Sequence, residues 1–382
     1  MQLTANTLGI PRSGSFSPEL TDNSVVCLMA PTASGKTALA YELYDTGRYE
    51  LISVDSALIY RDMNIGTAKP TIKELQRYPH HLVNIIDPTQ IYSVAEFVNE
   101  VKILIDHCHN SGKIPLLVGG TMMYYMALLE GLSPVPDSDE TIRQQVEEWR
   151  QYAGIKDLYE YLAQVDVITH KRLKPMDSQR ITRAVEVYIQ TNIPFSQWQD
   201  LPKQALANHP KQNWHVLSVM PDRSWLHERI AKRLDIMWEQ GLVAEVIGLL
   251  ERYPLTPNMP AMRCVGYRQV LEYLVHTHHP IFDQPHLDKE QFYSAFDAVD
   301  DAYDSKTTNT KGDDLKNAAY KNMQDKTLYA TRQLAKRQFT WLRKLSQLQT
   351  VVVPNSNTSI NLDSKMQAYS FETIQQAREY LL

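Results

Sequence analysis

Val25-Val26-Cys27-Leu28-Met29, followed at once by Ala30-Pro31-Thr32-Ala33-Ser34-Gly35-Lys36-Thr37, is the stretch on which the fold turns. The short apolar, β-branched run reads as a buried strand, and the helix-forming sequence from Ala38 onward reads as the helix after the turn. Between them lies the pattern of a phosphate-binding loop, G-x-x-x-x-G-K-[ST], matched at every defined position except the first, where Ala30 replaces glycine. In such a loop backbone N–H groups and a helix N-terminus point at phosphate oxygens. Lys36 adds a cation, and the Thr37 hydroxyl can ligate Mg²⁺. Ala30 fits provided its φ is negative.

Working outward, Glu50-Leu51-Ile52-Ser53-Val54 runs into Asp55-Ser56, and Ile114-Pro115-Leu116-Leu117-Val118 runs into Gly119-Gly120-Thr121; both read as further strands. Between them Ser93 and Glu96 form a capping box, and Val94, Phe97, Val98, Val101, Leu104 and Ile105 keep helical spacing until Gly112. Strands alternating with helices predict an α/β fold, a P-loop NTPase-like parallel sheet flanked by helices, with its ligand site at the C-terminal ends of the strands.

The length of 382 residues predicts two to three domains. Residues 1–24 read as a loose tail lacking the features of a secretory or transit sequence. The core occupies 25–136 and 213–350. Residues 137–212 show helical periodicity without a strand and read as a helical insertion domain. Within the resumed core, Trp214-His215-Val216-Leu217-Ser218-Val219 is a strand, with helices over 225–253 and 266–276. Residues 283–325 read as an acidic, low-complexity, solvated extension. A basic helix over 328–345 follows, packed through Phe339, Trp341 and Leu342. The strand Val351-Val352-Val353 and an amphipathic helix from Phe371 complete the 351–382 segment.

Lys plus Arg number 39 and Asp plus Glu 44, a net charge of −5 that argues against a nucleic-acid partner at first sight. The average misleads, because residues 283–325 alone hold ten acids against five bases and so carry the whole deficit. The rest is neutral and concentrates cations at Lys171, Arg172, Lys174, Arg180 and Arg183, and at Arg332, Lys336, Arg337, Arg343 and Lys344. No apolar run is long enough for a membrane span. The three cysteines form no CxxC pair, which fits a reducing cytoplasm and neither a disulfide framework nor a zinc site. His80 and His81 have no ligand cluster around them and read as structural or surface residues.

Asp55, directly after a strand, stands beside the phosphate loop in a doubly wound core, where a general base or magnesium ligand belongs; an Asx cap of the next helix would place it equally well. The strand Leu116-Leu117-Val118 leads to Gly119-Gly120-Thr121 in place of the Asp that closes such an apolar run in NTP hydrolases, which weakens ATP hydrolysis as the purpose of the site.

Five segments together carry a resemblance. Pro31 to Thr37, Ser53-Val54-Asp55-Ser56-Ala57-Leu58-Ile59-Tyr60, Asn64-Ile65-Gly66-Thr67-Ala68-Lys69-Pro70, Leu117-Val118-Gly119-Gly120-Thr121 and Arg263-Cys264-Val265-Gly266-Tyr267-Arg268-Gln269 resemble, in order, the signatures of the bacterial tRNA dimethylallyltransferase (isopentenyltransferase) family. The resemblance spans residues 25–350 and departs from the family pattern at Ala30 and in the acidic extension. It implies transfer of a dimethylallyl group from dimethylallyl diphosphate to N6 of adenosine 37 of tRNA, by a cytoplasmic monomer with Mg²⁺. Residues 30–37 would cradle the diphosphate in a site that elsewhere binds nucleotide phosphates, with Lys36 and the aligned Arg223 reaching it. Asp55 would accept the N6 proton, and Thr121 would hydrogen-bond near the reacting groups. Contacts to tRNA would come from Asp55, Ser56, Ala57, Leu58, Thr121, Arg143, Gln179, Arg180, Ile181, Thr182, Arg183, Arg263, Cys264, Val265, Gly266, Tyr267 and Arg268. Among these the arginines and the Tyr267 ring suit bidentate hydrogen bonds and base stacking; Arg180 and Arg183, three apart on a helix, fit a solvated face equally.

Two other classes compete. A small-molecule kinase with Asp55 as base explains the loop but leaves the helical insertion and the basic 263–268 segment without a purpose. A nucleotide-switched RNA-binding protein needs residues sensing a γ-phosphate, and the sequence shows none.

Overall fold

The structure, a computed structural model, describes residues 20–296, 311–347 and 366–382. Its centre is a sheet of β1 (Ser24–Met29), β2 (Tyr49–Val54), β3 (His80–His81), β4 (Ile114–Gly119), β5 (Asn213–Val219) and β6 (Met366–Phe371), in the order β3-β2-β4-β1-β5-β6. Every pairing is parallel. Parallel strands with both faces covered should be apolar throughout, and all six positions of β1 and of β4 are buried. The α/β reading of the sequence holds.

Register aligns the strand ends. Met29 pairs with Gly119 and with Ser218, and Gly119 also pairs with Val54, so β1, β2, β4 and β5 finish along one edge. Gly119 has no alternative here: a Cβ on it would stand 2.0 Å from the Val54 carbonyl oxygen.

The Lys36–Asp45 and Ile374–Leu381 helices pack on one face of the sheet, through Leu39, Leu43, Ala377 and Leu381 against Val26, Leu28, Leu116 and Leu217. A larger apolar body gathers the Arg223–Glu239, Leu242–Arg252 and Tyr267–His276 helices with the long Lys311–Gln347 helix. Gly241, at φ 92°, breaks the first two of these apart.

The chain divides into two compact units, with Tyr125–Pro210 forming the second. That unit begins before the expected residue 137, the division falling within the apolar Met122–Leu129 helix. Its helices are Glu140–Val165, Val167–Arg172, Ser178–Thr191 and Phe195–Asp200, around a small core of Val146, Leu158, Leu162, Ile181, Ala184 and Val185.

The acidic stretch needs correction where it is described. Leu287 and Phe292 are buried in the main apolar body, a helix spans Lys289–Ala295, and residues 311–325 open the Lys311–Gln347 helix with Met323 only 2% exposed. Many acids and few aliphatic residues concealed three buried anchors. Residues 297–310 and the expected strand at 351–353 lie outside the described residues. The last described strand is β6, and the final helix begins at Ile374 rather than Phe371. On the long helix Phe339 and Leu342 are buried, but Trp341 is 39% exposed, with the Lys344 ammonium 5.3 Å from its ring.

Candidate active site

The phosphate loop leaves β1 at Met29 and enters the helix at Lys36. Ala33 and Gly35 adopt left-handed conformations, at φ 61° and 95°. Gly35 caps the helix without a side chain, so the first-turn N–H groups have no side-chain acceptor and remain available to an anion. Ala30 is absent from the positive-φ residues, which is why alanine is tolerated in the glycine position. The Ser34 side chain is buried and its hydroxyl has no protein partner, while Thr37 is exposed on the first turn.

Burial pushes the Lys36 ammonium down to about 8, with Asp55 opposing the shift and Arg233 reinforcing it. Asp55 follows β2, and its Oδ1 accepts the Ala57 N–H at 2.9 Å, so the Asx turn is formed. That turn uses one carboxylate oxygen, and the carboxylate charge still acts on Lys36, Lys69, Arg233 and Cys264. Thr121, just past β4, closes the group: its Oγ1 accepts the Ser56 N–H at 3.0 Å and donates to the Ser56 hydroxyl at 3.3 Å, while its own N–H binds the Val54 carbonyl at 3.1 Å. The Asp55-Ser56 turn and Thr121 are thereby tied together beside the loop. Arg223, the first residue of its helix, is exposed and lies over the Phe339 ring at 5.9 Å.

Two further arginines of that helix reach the loop and were missed by sequence reasoning. Arg229 donates from Nε to the Ala33 carbonyl at 2.8 Å and stacks over Trp225, and Arg233 donates to the Thr32 hydroxyl at 3.3 Å. The only advance signal was their spacing of four, which puts both on one helix face. Arg233 also lines a cavity of about 810 Å³ with Arg61, Lys69, Ile65, Ile236 and Met237. Its lining mixes these cations with the Asp62 carboxylate and with apolar side chains. Lys69 is nearly buried there, bound to the Tyr60 carbonyl and Asn84, and burial pushes its ammonium down to about 8.

The 64–70 signature is built around Glu245, whose carboxylate accepts the N–H groups of Asn64, Ile65 and Gly66 and the Tyr267 hydroxyl, the last at 2.6 Å. Glu245→Ala strands those donors and should cost about 2–3 kcal/mol, read as a lower urea midpoint at unchanged m-value. The same contacts correct the expectation for Tyr267. Its ring is fully buried against Gly66, where a Cβ would come within 2.5 Å of it, so no face remains for a base. Arg268 is likewise committed, donating to the Pro257 and Ala295 carbonyls and lying 4.0 Å from the Phe296 ring centre. Cys264 and Val265 are half-buried, with burial pushing the Cys264 thiol up to about 12; Gly266 is in the left-handed region at φ 94°, and Arg263 is exposed.

In the second unit Arg180 is solvated, 74% exposed and paired with Asp177 at 2.7 Å. Arg183 turns inward to the Pro136 carbonyl and Ser138, and Ile181 is core. Arg143 pairs loosely with Glu140 at 3.8 Å; Gln179 is exposed and Thr182 half-buried. Among the described residues no cluster of three or more His, Cys, Asp or Glu could hold a metal, and His80 and His81 form β3 with hydrogen bonds to the Tyr78 carbonyl and Glu50.

The family model described as IPP transferase matches residues 58–345. The chain is 62% identical to a tRNA dimethylallyltransferase of Psychrobacter cryohalolentis, covering all of this chain and 98% of that protein. It is 45% identical to one from Acinetobacter baumannii, over 85% of this chain and 91% of the relative. Among solved structures it is similar to the tRNA isopentenylpyrophosphate transferase of Bacillus halodurans, at TM-score 0.52 and 26% identity over 93% of both chains. A eukaryotic dimethylallyltransferase acting on tRNA shares the fold at TM-score 0.62 and 20% identity, over 93% of this chain and 75% of that one.

Proposed function

The chain belongs to the IPP transferase family and is a tRNA-modifying prenyltransferase; we propose that it moves the dimethylallyl group of dimethylallyl diphosphate to N6 of adenosine 37, releasing diphosphate. The observation that carries this reading is the convergence at one sheet edge of a phosphate loop with a depressed lysine and a tethered carboxylate–hydroxyl group.

The reaction sets three requirements. An allylic carbon leaves diphosphate readily once the developing charge is stabilised, whereas an exocyclic adenine amine is a weak nucleophile that must be held in line and lose a proton. Lys36, the loop N–H groups and Arg223 stabilise the leaving diphosphate, and Arg233 adds a third cation beside Thr32. Asp55, fixed by the Ala57 N–H, keeps an oxygen for the N6 proton. Thr121 and Ser56 orient the carboxylate turn.

Mg²⁺ fits the donor set: Thr37 offers one exposed hydroxyl, and a hard ion with few protein ligands takes the rest of its shell from phosphate oxygens and water. When bound it neutralises charge on the leaving diphosphate. An anticodon-loop base must be drawn out of its stack to reach Asp55, and the exposed Arg180 and Arg263 are the cations we assign to the surrounding tRNA. The proposed form is a cytoplasmic monomer; no described helix is long and apolar enough to cross a membrane.

Product release tests the reading against the kinase alternative. Diphosphate should appear only when tRNA and dimethylallyl diphosphate are both present, and ATP in place of the prenyl donor should release nothing. ADP formed with a small-molecule acceptor would favour the kinase.

A further inference from the structure

The ladder between β1 and β4 ends at Met29 and Gly119. Beyond that pair the two chains must part, one into the phosphate loop and the other toward Thr121, and no backbone rung joins them. A side chain from the long Lys311–Gln347 helix fills the gap. Gln338 accepts the Thr32 N–H on Oε1 at 3.1 Å and donates from Nε2 to the Gly120 carbonyl at 2.8 Å. Its amide is 7% exposed, and both hydrogen-bonding groups are used in the only orientation that satisfies both partners.

We propose that Gln338 is a positioning residue for the transfer reaction, a side-chain rung that sets the phosphate loop in register with Thr121 and Asp55. Three observations support it. First, Pro31 has no N–H, so Thr32 offers the first amide of the loop after Ala30; Gln338 takes that amide and so fixes the start of the run of amides that follows. Second, Gly120 accommodates the side chain specifically, since a Cβ there would lie 2.5 Å from Gln338 Nε2. Third, the neighbouring Phe339 is buried under the Arg223 guanidinium, so adjacent residues of one helix locate both the loop and the proposed leaving-group arginine. Gln338 touches no substrate in this account; it acts through the backbone of Thr32 and Gly120. A displacement of about 1 Å between a catalytic group and its substrate can cost a hundred-fold in rate, so a rung between two strand ends has leverage.

The inference rests on the diphosphate reading of the loop, and its test separates the two. Gln338→Met keeps the length of the side chain and loses both hydrogen bonds. In steady-state transfer with saturating tRNA it should raise KM for dimethylallyl diphosphate and lower kcat, each about ten-fold, while tRNA affinity by fluorescence anisotropy stays within about two-fold. Gln338→Glu retains an acceptor for Thr32 but sets a carboxylate against the Gly120 carbonyl, and should be at least as impaired. Should Gln338→Met fail to fold by circular dichroism, Gly120→Ala, which pushes the amide off its carbonyl, is read in the same way. Kinetic constants for the folded Gln338→Met protein within about two-fold of the parent would overturn the positioning role and leave the function standing. So would a loss of tRNA affinity matching the rise in KM. A parent protein that transfers no dimethylallyl group to tRNA would sink both.

Discussion

Asp55→Ala should lower kcat for dimethylallyl transfer by about 10²–10⁴, the range for a lost general base, and leave tRNA affinity within a few-fold. The proposed mechanism gives the N6 proton to this carboxylate, which is held by the Ala57 N–H and flanked by Ser56 and Thr121. Removing it also deletes the Asx turn, so Asp55→Asn is the necessary partner variant: its amide oxygen can still accept from Ala57, but it cannot take a proton. Both variants should fall together in kcat. Asp55→Asn with near-parental kcat would show that the turn, and not the base, is what the site needs. A parallel collapse of tRNA affinity and turnover would make Asp55 a binding residue.

Lys36→Ala should raise KM for dimethylallyl diphosphate about ten- to hundred-fold, the worth of a charge-assisted hydrogen bond to phosphate. The pH dependence gives a sharper signature. With the Lys36 ammonium at about 8 in the free protein, the cation is present below that pH and is lost as pH rises through it. The profile of kcat/KM for the diphosphate reports free-enzyme groups, so it should descend above about 8. Lys36→Arg, charged throughout, should abolish the descent. A descent that survives in Lys36→Arg would assign the titration elsewhere, Lys69 being the other lysine depressed to about 8. An unchanged KM in Lys36→Ala would remove the loop from the diphosphate site.

What could be read in the sequence was local. The strand–loop–helix at 25–45 needed only periodicity and the Gly-Lys-Thr sequence, and the capping box of Ser93 and Glu96 formed as its spacing required. Strand ends followed by Asp55 and Gly119-Gly120-Thr121 could be placed because a parallel sheet delivers its strand ends to one edge. The two outer strands escaped for opposite reasons: β3 is two half-buried histidines with no apolar run, and β6 alternates weakly far from its partner β5 in sequence.

Residues whose role depends on tertiary packing could not be sorted by type. Arg268 and Tyr267 have the chemistry of RNA contacts, but a carbonyl pair claims one and Glu245 the other. Arg180 and Arg183 are alike in sequence, and it is the Pro136 carbonyl, Ser138 and Glu186 that turn one of them inward. Arg229, Arg233 and Gln338 reach the loop from positions roughly two hundred to three hundred residues away, so no local pattern could connect them to it.

The central claim is alkylation of one nitrogen of one base. The protein incubated with Mg²⁺, labelled dimethylallyl diphosphate and tRNA carrying adenosine 37, followed by digestion to nucleosides, should return the label as N6-dimethylallyladenosine, and tRNA with guanosine at that position should take up none. Unlabelled tRNA alongside rapid turnover of ATP would contradict the account.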